Sequence, residues 1–506
     1  MQTVVLVRYS LSPARILFLI GESMLRERKR CRVGKLRGWK GICAVSLLWG
    51  ATAIVSSAQT LTTLVNFDGA SGTGPAYGTL VQGTDGYLYG ATGGGGANGY
   101  GTIFNVTAGG TLTTLHSFNL TDGAGPYAAL TQGTDGNFYG ITNDGGAHGF
   151  GSVFNVTPGG TLKTIYSFCA QVNGQGYCAD GGYPFAGLIQ ATDGDLYGTT
   201  TSGGANNNGT VFKITLGGSL TTLHSFIGTD GLFPYAALVQ ASNGNLYGTT
   251  TSGGANNGGT VFKITPGGTL TRLHNFHGTD GLYPYAPLLQ ARNGNFYGST
   301  QNGGANGGGT VFAITSSGVL TTIYSFCPPN NCTDGAHPTG ALIQATDGNL
   351  YGTTQSAARS QSQLFGTAFK ITTGGALTTL HRFAGSPTDG AYPYAALVQA
   401  TDGKLYGTTY GGGANNDGTV FALAVGLGAF VKTQPTSGKV GADIIIVGTN
   451  LTGSTAVSFN GTTATFTVVS ASEITTNVPV GATTGKVQVT TPGGILKSNV
   501  AFRVMP

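Results

Sequence analysis

The chain repeats itself. A segment beginning Leu61-Thr-Thr-Leu-Val-Asn-Phe67 recurs from Leu112, Leu162, Leu220, Leu270, Leu320 and Leu377, at spacings of 51, 50, 58, 50, 50 and 57 residues. A Tyr-Gly step recurs in the same phase at Tyr89, Tyr139, Tyr197, Tyr247, Tyr297, Tyr351 and Tyr406. So does a Gly-Thr-Val-Phe-like run ending at Phe104, Phe154, Phe212, Phe262, Phe312, Phe369 and Phe421. Seven copies of one unit restrict the fold to architectures in which a small supersecondary element packs on copies of itself.

Each unit holds four runs rich in Thr, Val, Ile, Leu, Tyr and Phe, bounded by turn residues. In one repeat they are 235–240, 245–250, 260–265 and 270–276. Asn243-Gly244 joins the first two and Pro266-Gly267-Gly268 the last two, both short-hairpin signals. No helical periodicity interrupts them. Four antiparallel strands every fifty residues make a propeller blade, whose faces are covered by radial stacking. The repeat region opens on a fourth-type strand (61–67) and closes on first, second and third types (394–400, 404–409, 419–425). The leading strand can therefore complete the last blade and cover its free edge. The expected fold is all-β: a seven-bladed β-propeller over 59–425 closed by its amino-terminal strand, a linker over 426–432, and an immunoglobulin-like β-sandwich over 433–506.

The sandwich is read from runs 444–447, 456–459, 465–469, 474–478 and 486–490, separated by Gly- and Asn-containing turns. The unit Asp-Gly-Asn-Leu-Tyr-Gly-Thr-Thr … Gly-Gly-Ala-Asn … Gly-Thr-Val-Phe-Lys-Ile-Thr-Pro-Gly-Gly-Thr-Leu … Leu-His-Ser-Phe (245–276 and its copies) resembles the GloVer tandem repeat of secreted bacterial proteins. That resemblance implies export and tandem repetition, and assigns no chemistry. Pro435-Thr-Ser-Gly438, Gly448-Thr-Asn-Leu-Thr-Gly453, Val457-Ser-Phe-Asn-Gly461 and Pro492-Gly-Gly494 resemble an IPT/TIG domain, which implies a spacer or adhesive module.

Charge and cysteine usage point to export. A basic stretch from Arg26 to Lys40 precedes an apolar run from Gly41 to Val55, and Ser56-Ser57-Ala58 offers a cleavage site, so 24–58 reads as a secretory signal. The whole chain carries +5, but residues 1–58 hold ten Lys/Arg and two Glu, leaving −3 for 59–506. No basic patch remains to neutralise a row of phosphates, which removes nucleic acid as a partner. No membrane span is expected after signal cleavage. Cys169 with Cys178, and Cys327 with Cys332, sit in close pairs and read as disulfides of an exported chain. Localisation is expected to be secreted or at the cell surface.

Candidates for chemistry are few. Past the leader there are sixteen Asp, fourteen of them before Gly, and one Glu, Glu473. Asp-Gly is turn chemistry, and a glycosidase needs two unlike carboxylates at a set separation. His116, His224, His274 and His381 share a fourth-strand position that holds Val65, Tyr166 and Tyr324 elsewhere, so the position reads as packing. No catalytic residue, cofactor or metal is expected. The blade-to-blade and second-to-third loops vary and hold both cysteine pairs, and variable loops on a rigid scaffold are where binding resides. That face should carry Asp68, Asp122, Asp180, Asp230, Asp280, Asp334 and Asp389, and near them Tyr77, Tyr127, Phe185, Tyr235, Tyr285 and Tyr394, with Thr339 breaking the series. Aromatic faces with carboxylate acceptors suit a glycan or protein ligand. The alternatives are a carbohydrate-active enzyme such as a polysaccharide lyase, or a purely structural envelope component.

Overall fold

The computed structural model describes residues 59–75, 78–328, 332–356 and 365–506. The leader, with Cys31 and Cys43, and Tyr77 lie outside the described residues. Among the described residues there is no helix, and seven four-stranded antiparallel sheets account for the repeats. In the fourth blade the strands are Val239–Gln240, Leu246–Thr250, Thr260–Ile264 and Leu270–Asn275, paired in that order. The seventh blade is assembled from both ends of the repeat region. Its outer strand, Thr60–Asn66, pairs with Thr419–Ala424, from Thr60 opposite Ala424 to Asn66 opposite Thr419.

Seven apolar clusters fill the seven seams. Between blades four and five, Tyr247, Val261 and Phe276 pack on Leu288, Phe296 and Phe312. The cluster joining blades seven and one unites Tyr406 and Val420 with Leu80, Leu88 and Phe104. As many seams as sheets means a closed ring. The Tyr-Gly step serves these seams directly: Tyr247 stacks on Phe296 of the next blade at 4.1 Å. Gly248 leaves room beside it, because a Cβ there would lie 2.6 Å from Phe262 Cζ and 2.9 Å from Leu238 Cδ2.

The first strand of each blade is shorter than the sequence suggests, two residues of ladder rather than six. Its preceding backbone is bonded across the seam instead. Thr199 Oγ1 of blade three donates to Pro234 O at 2.9 Å, and Thr249 Oγ1 of blade four to Pro284 O at 3.1 Å. Carbonyls satisfied by a neighbour's hydroxyl have no need of their own ladder.

The glutamines ending these short strands lock six seams on the face of the first-to-second turns. Gln190, Gln240, Gln290, Gln344, Gln399 and Gln82 each accept, through Oε1, the backbone N–H of the preceding blade's turn at 2.9–3.1 Å. At the seam of blades one and two the counterpart, Gln132 Oε1, is buried without a partner. There the carboxy-terminal domain intervenes. Gln434 Nε2 donates to Gln132 O and Gly133 O at 3.3 Å, and Ser472 Oγ to Thr84 O at 3.2 Å.

That domain is a sandwich. One sheet orders Lys432–Gln434, Asp443–Val447, Glu473–Asn477 and Phe466–Val468; the other orders Thr462–Ala464, Ala456–Phe459, Val487–Thr491 and Gly494–Lys497. Ile444, Ile446, Val457, Phe459, Val487, Val489 and Phe502 fill its core. Lys432 Nζ donates to Gln82 O, Thr401 Oγ1 meets Thr449 Oγ1 at 2.8 Å, and Arg503 Nη1 donates to Ser242 O at 3.0 Å. Contacts on blades seven, one and two and again on blade four put the sandwich across the turn-face mouth of the ring.

Lys432 gives this contact a pH dependence. Burial of its ammonium against the propeller pulls its pKa down to about 8, against about 10.4 for a free lysine. A lysine depressed in the folded state binds fewer protons there than unfolded, so stability should rise as pH climbs from about 8 towards 10. Thermal unfolding at pH 7.5 and 9.5 should show this rise in the wild type and lose it in Lys432→Met. An equal slope in the variant would remove Lys432 as its source.

Candidate functional site

Short first strands leave an axial well of about 600 Å³, lined by residues of all seven blades. Phe185, Tyr235, Tyr285 and Tyr394 wall it, together with Thr79, Thr131, Thr339, Gln301, Gln355 and a floor of Ala and Gly from the first-strand approaches. The rings touch in sequence: Tyr127 stacks on Phe185 at 5.6 Å, Phe185 meets Tyr235 edge-on at 5.2 Å, and Tyr235 lies 5.4 Å from Tyr285. Thr339 opens a gap before Tyr394, whose hydroxyl accepts from Gln355 Nε2 at 2.9 Å. Burial pushes the Tyr127, Tyr285 and Tyr394 phenols above their ordinary value, so they stay neutral donors. Among the described residues no Asp, Glu, His, Lys or Arg lines the well.

The carboxylates expected beside these rings are spent elsewhere. Asp122, Asp230, Asp280 and Asp389 each take His116, His224, His274 or His381 Nε2 at 2.7–2.9 Å. Asp180 and Asp334 accept from the Tyr166 and Tyr324 hydroxyls at 2.6 and 2.8 Å. In the seventh blade the strand position is Val65, and Asp68 turns to Ser71 instead. The other six thus tie the blade-to-blade loop to the outermost strand, and none of the seven lines the well. Burial pushes the Asp230 and Asp389 carboxyls up, but the imidazole and backbone N–H bonds outweigh it and hold both below the usual value. Asp334, given a phenol instead of an imidazole, is left above it by burial.

Both disulfides, Cys169–Cys178 and Cys327–Cys332, close blade-to-blade loops on the well's face. Two features of that face escape a reading of residue types. Asp144 stands where other repeats have Gly94, Ser202, Ser252, Asn302, Ser356 or Gly411, and its charge reaches Tyr127. Burial holds its carboxyl above the ordinary value. The second is a left-handed backbone position preceding the proline at the head of each blade. It has φ between 52 and 62° in all seven blades, at Gly74, Gly125, Tyr183, Phe233, Tyr283, His337 and Tyr392. A side chain in this left-handed region costs about 1–2 kcal/mol.

The repeats are matched by the model of the Gloeobacter/Verrucomicrobia repeat over 49–179, 173–356 and 329–465. The chain belongs to this repeat family. The IPT/TIG domain is matched over 430–504. No curated protein matches the sequence. Among solved structures the chain is similar to virginiamycin B lyase from Staphylococcus aureus, at 16% identity and TM-score 0.48, covering 72% of this chain and 98% of that one. It is also similar to a gluconolactonase from Xanthomonas campestris, at 13% identity and TM-score 0.36, covering 57% and 82%. Among the described residues no helix is long and apolar enough to cross a membrane.

Proposed function

We propose that this repeat-family chain is an exported, non-catalytic binding protein whose axial well takes a neutral glycan, with the IPT/TIG domain backing the ring. The observation that carries the reading is the chemistry of the well. Aromatic faces, neutral hydroxyls and amides converge there, among the described residues without an ionisable acid or base other than phenols, while the repeat's Asp and His are bonded to one another. Sugar C–H faces stack on such rings, and hydroxyls find Thr, Gln and Tyr partners. The two disulfides support an oxidising compartment.

The mature protein, residues 59–506, should bind members of a neutral glycan array. Tyr235→Ala with Tyr285→Ala should weaken binding about a hundredfold, at roughly 1.4 kcal/mol per ring. Absence of binding across the array would sink the reading. A second reading, catalysis on a polysaccharide, rests on Asp144, a part-buried carboxyl whose charge reaches Tyr127 of the aromatic series. Turnover on a polysaccharide panel, abolished by Asp144→Asn, would favour it.

A further inference from the structure

The strained position on the well's face is the same backbone in every blade, and glycine meets its requirement at Gly74 and Gly125. Four of the other five blades place an aromatic ring there: Tyr183, Phe233, Tyr283 and Tyr392. Two of these rings meet a neighbour, Tyr183 with Phe150 at 5.2 Å and Tyr392 with Phe365 at 5.4 Å, but all four stay at the surface of the loop face rather than in the seams. Tyr183 is 36% exposed, Phe233 40% and Tyr392 36%. The backbone, and not side-chain packing, fixes the geometry. Phe233 N–H donates to Asn208 O of the preceding blade at 3.1 Å, and its carbonyl accepts from Thr251 N at 3.1 Å and Thr251 Oγ1 at 3.0 Å. Tyr183 is held alike, by Phe150 O at 2.9 Å and Thr201 Oγ1 at 2.7 Å. Strain retained under such over-determination, with the ring partly open to solvent, points to use.

Each rim ring precedes a wall ring by two residues across a proline: Tyr183 and Phe185, Phe233 and Tyr235, Tyr283 and Tyr285. Two residues of extended chain span about 7 Å, of the order of one sugar ring. Three consecutive blades, three to five, carry such doublets, and blade seven carries a fourth, Tyr392 and Tyr394, set apart from them by His337 with Thr339 of blade six and by the glycines of blades one and two. The longest unbroken stretch of aromatic surface therefore leaves the well over blades three to five.

We propose that Tyr183, Phe233 and Tyr283 are outer stacking subsites, so that the ligand is a polysaccharide chain running from the well over blades three to five and not a single sugar. This rests on the reading of the well as a glycan site. The probes are cello-, chito-, xylo- and mannooligosaccharides of one to six residues, titrated calorimetrically into residues 59–506. In the wild type the affinity for the preferred series should rise at least tenfold from two residues to six. The triple variant Tyr183→Gly, Phe233→Gly, Tyr283→Gly adopts the residue that blades one and two use, so its Tm should hold or rise. It should keep the affinity for the disaccharide and lose the gain with length. A variant that binds the hexamer as tightly as wild type, or a wild type indifferent to length, overturns the outer subsites and leaves the well standing. Failure of every oligosaccharide, or binding of aromatic-rich peptides in their place, overturns the glycan reading and this proposal together.

Discussion

A chain of residues 67–506 should lose the melting transition that residues 59–506 show, shifting down by about 10 °C or more, and should self-associate. Thr60–Asn66 is the outer strand of the seventh blade, and its removal leaves the edge of Thr419–Ala424 unpaired. It also removes Val65 from the cluster that joins the first and last blades and cuts the chain beside Phe67, which meets Phe104 edge-on at 5.3 Å. A synthetic peptide of residues 59–67 added in trans should restore the transition in a concentration-dependent way, since it binds only the folded ring. Scanning calorimetry and light scattering read both effects. A monodisperse, unshifted truncation would show that the ring does not depend on this closure.

Gly259→Ala should destabilise the protein by roughly 2–4 kcal/mol, combining overpacking with backbone strain. Its φ is 95°, and a Cβ would lie 2.4 Å from Thr250 O and 2.7 Å from Pro284 Cδ of the next blade. Neither atom is the end of a flexible side chain, so the loop and the neighbouring blade must both shift. Gly244 is the control. Its φ is 84° but nothing lies within 4 Å of the added methyl, so Gly244→Ala should cost only about 1 kcal/mol. Denaturant midpoints for the two variants decide it, and equal losses would discard the packing argument.

The blades were legible because one alternating pattern with fixed hairpin turns is written seven times, and each copy checks the others. Five sandwich strands were legible for the same local reasons, whereas Lys432–Gln434, Thr462–Ala464 and Gly494–Lys497 are too short to stand out. What composition hides is backbone bonding across seams. Nothing in the type of Thr199 says that its hydroxyl reaches Pro234, so the first strand looks longer than it is. The Asp series was visible, but its partner alternates between imidazole and phenol six or more residues upstream, as with His224 for Asp230 and Tyr166 for Asp180. Read without those bonds, the carboxylates look free for a ligand. The wall aromatics carried a usable signal, position beside the first strand, and Tyr235 and Tyr285 do face the well. The left-handed rim was masked by its own occupants, since tyrosine and phenylalanine give no hint of positive φ.

Six joints of the wheel are buttoned by a glutamine and the seventh is not, with Gln132 Oε1 left idle beneath Gln434. The terminal module is thereby more than a tether. Severed from it, the ring would keep its blades but inherit a soft hinge between the first two, and the rest of the wheel could gape there without breaking any strand.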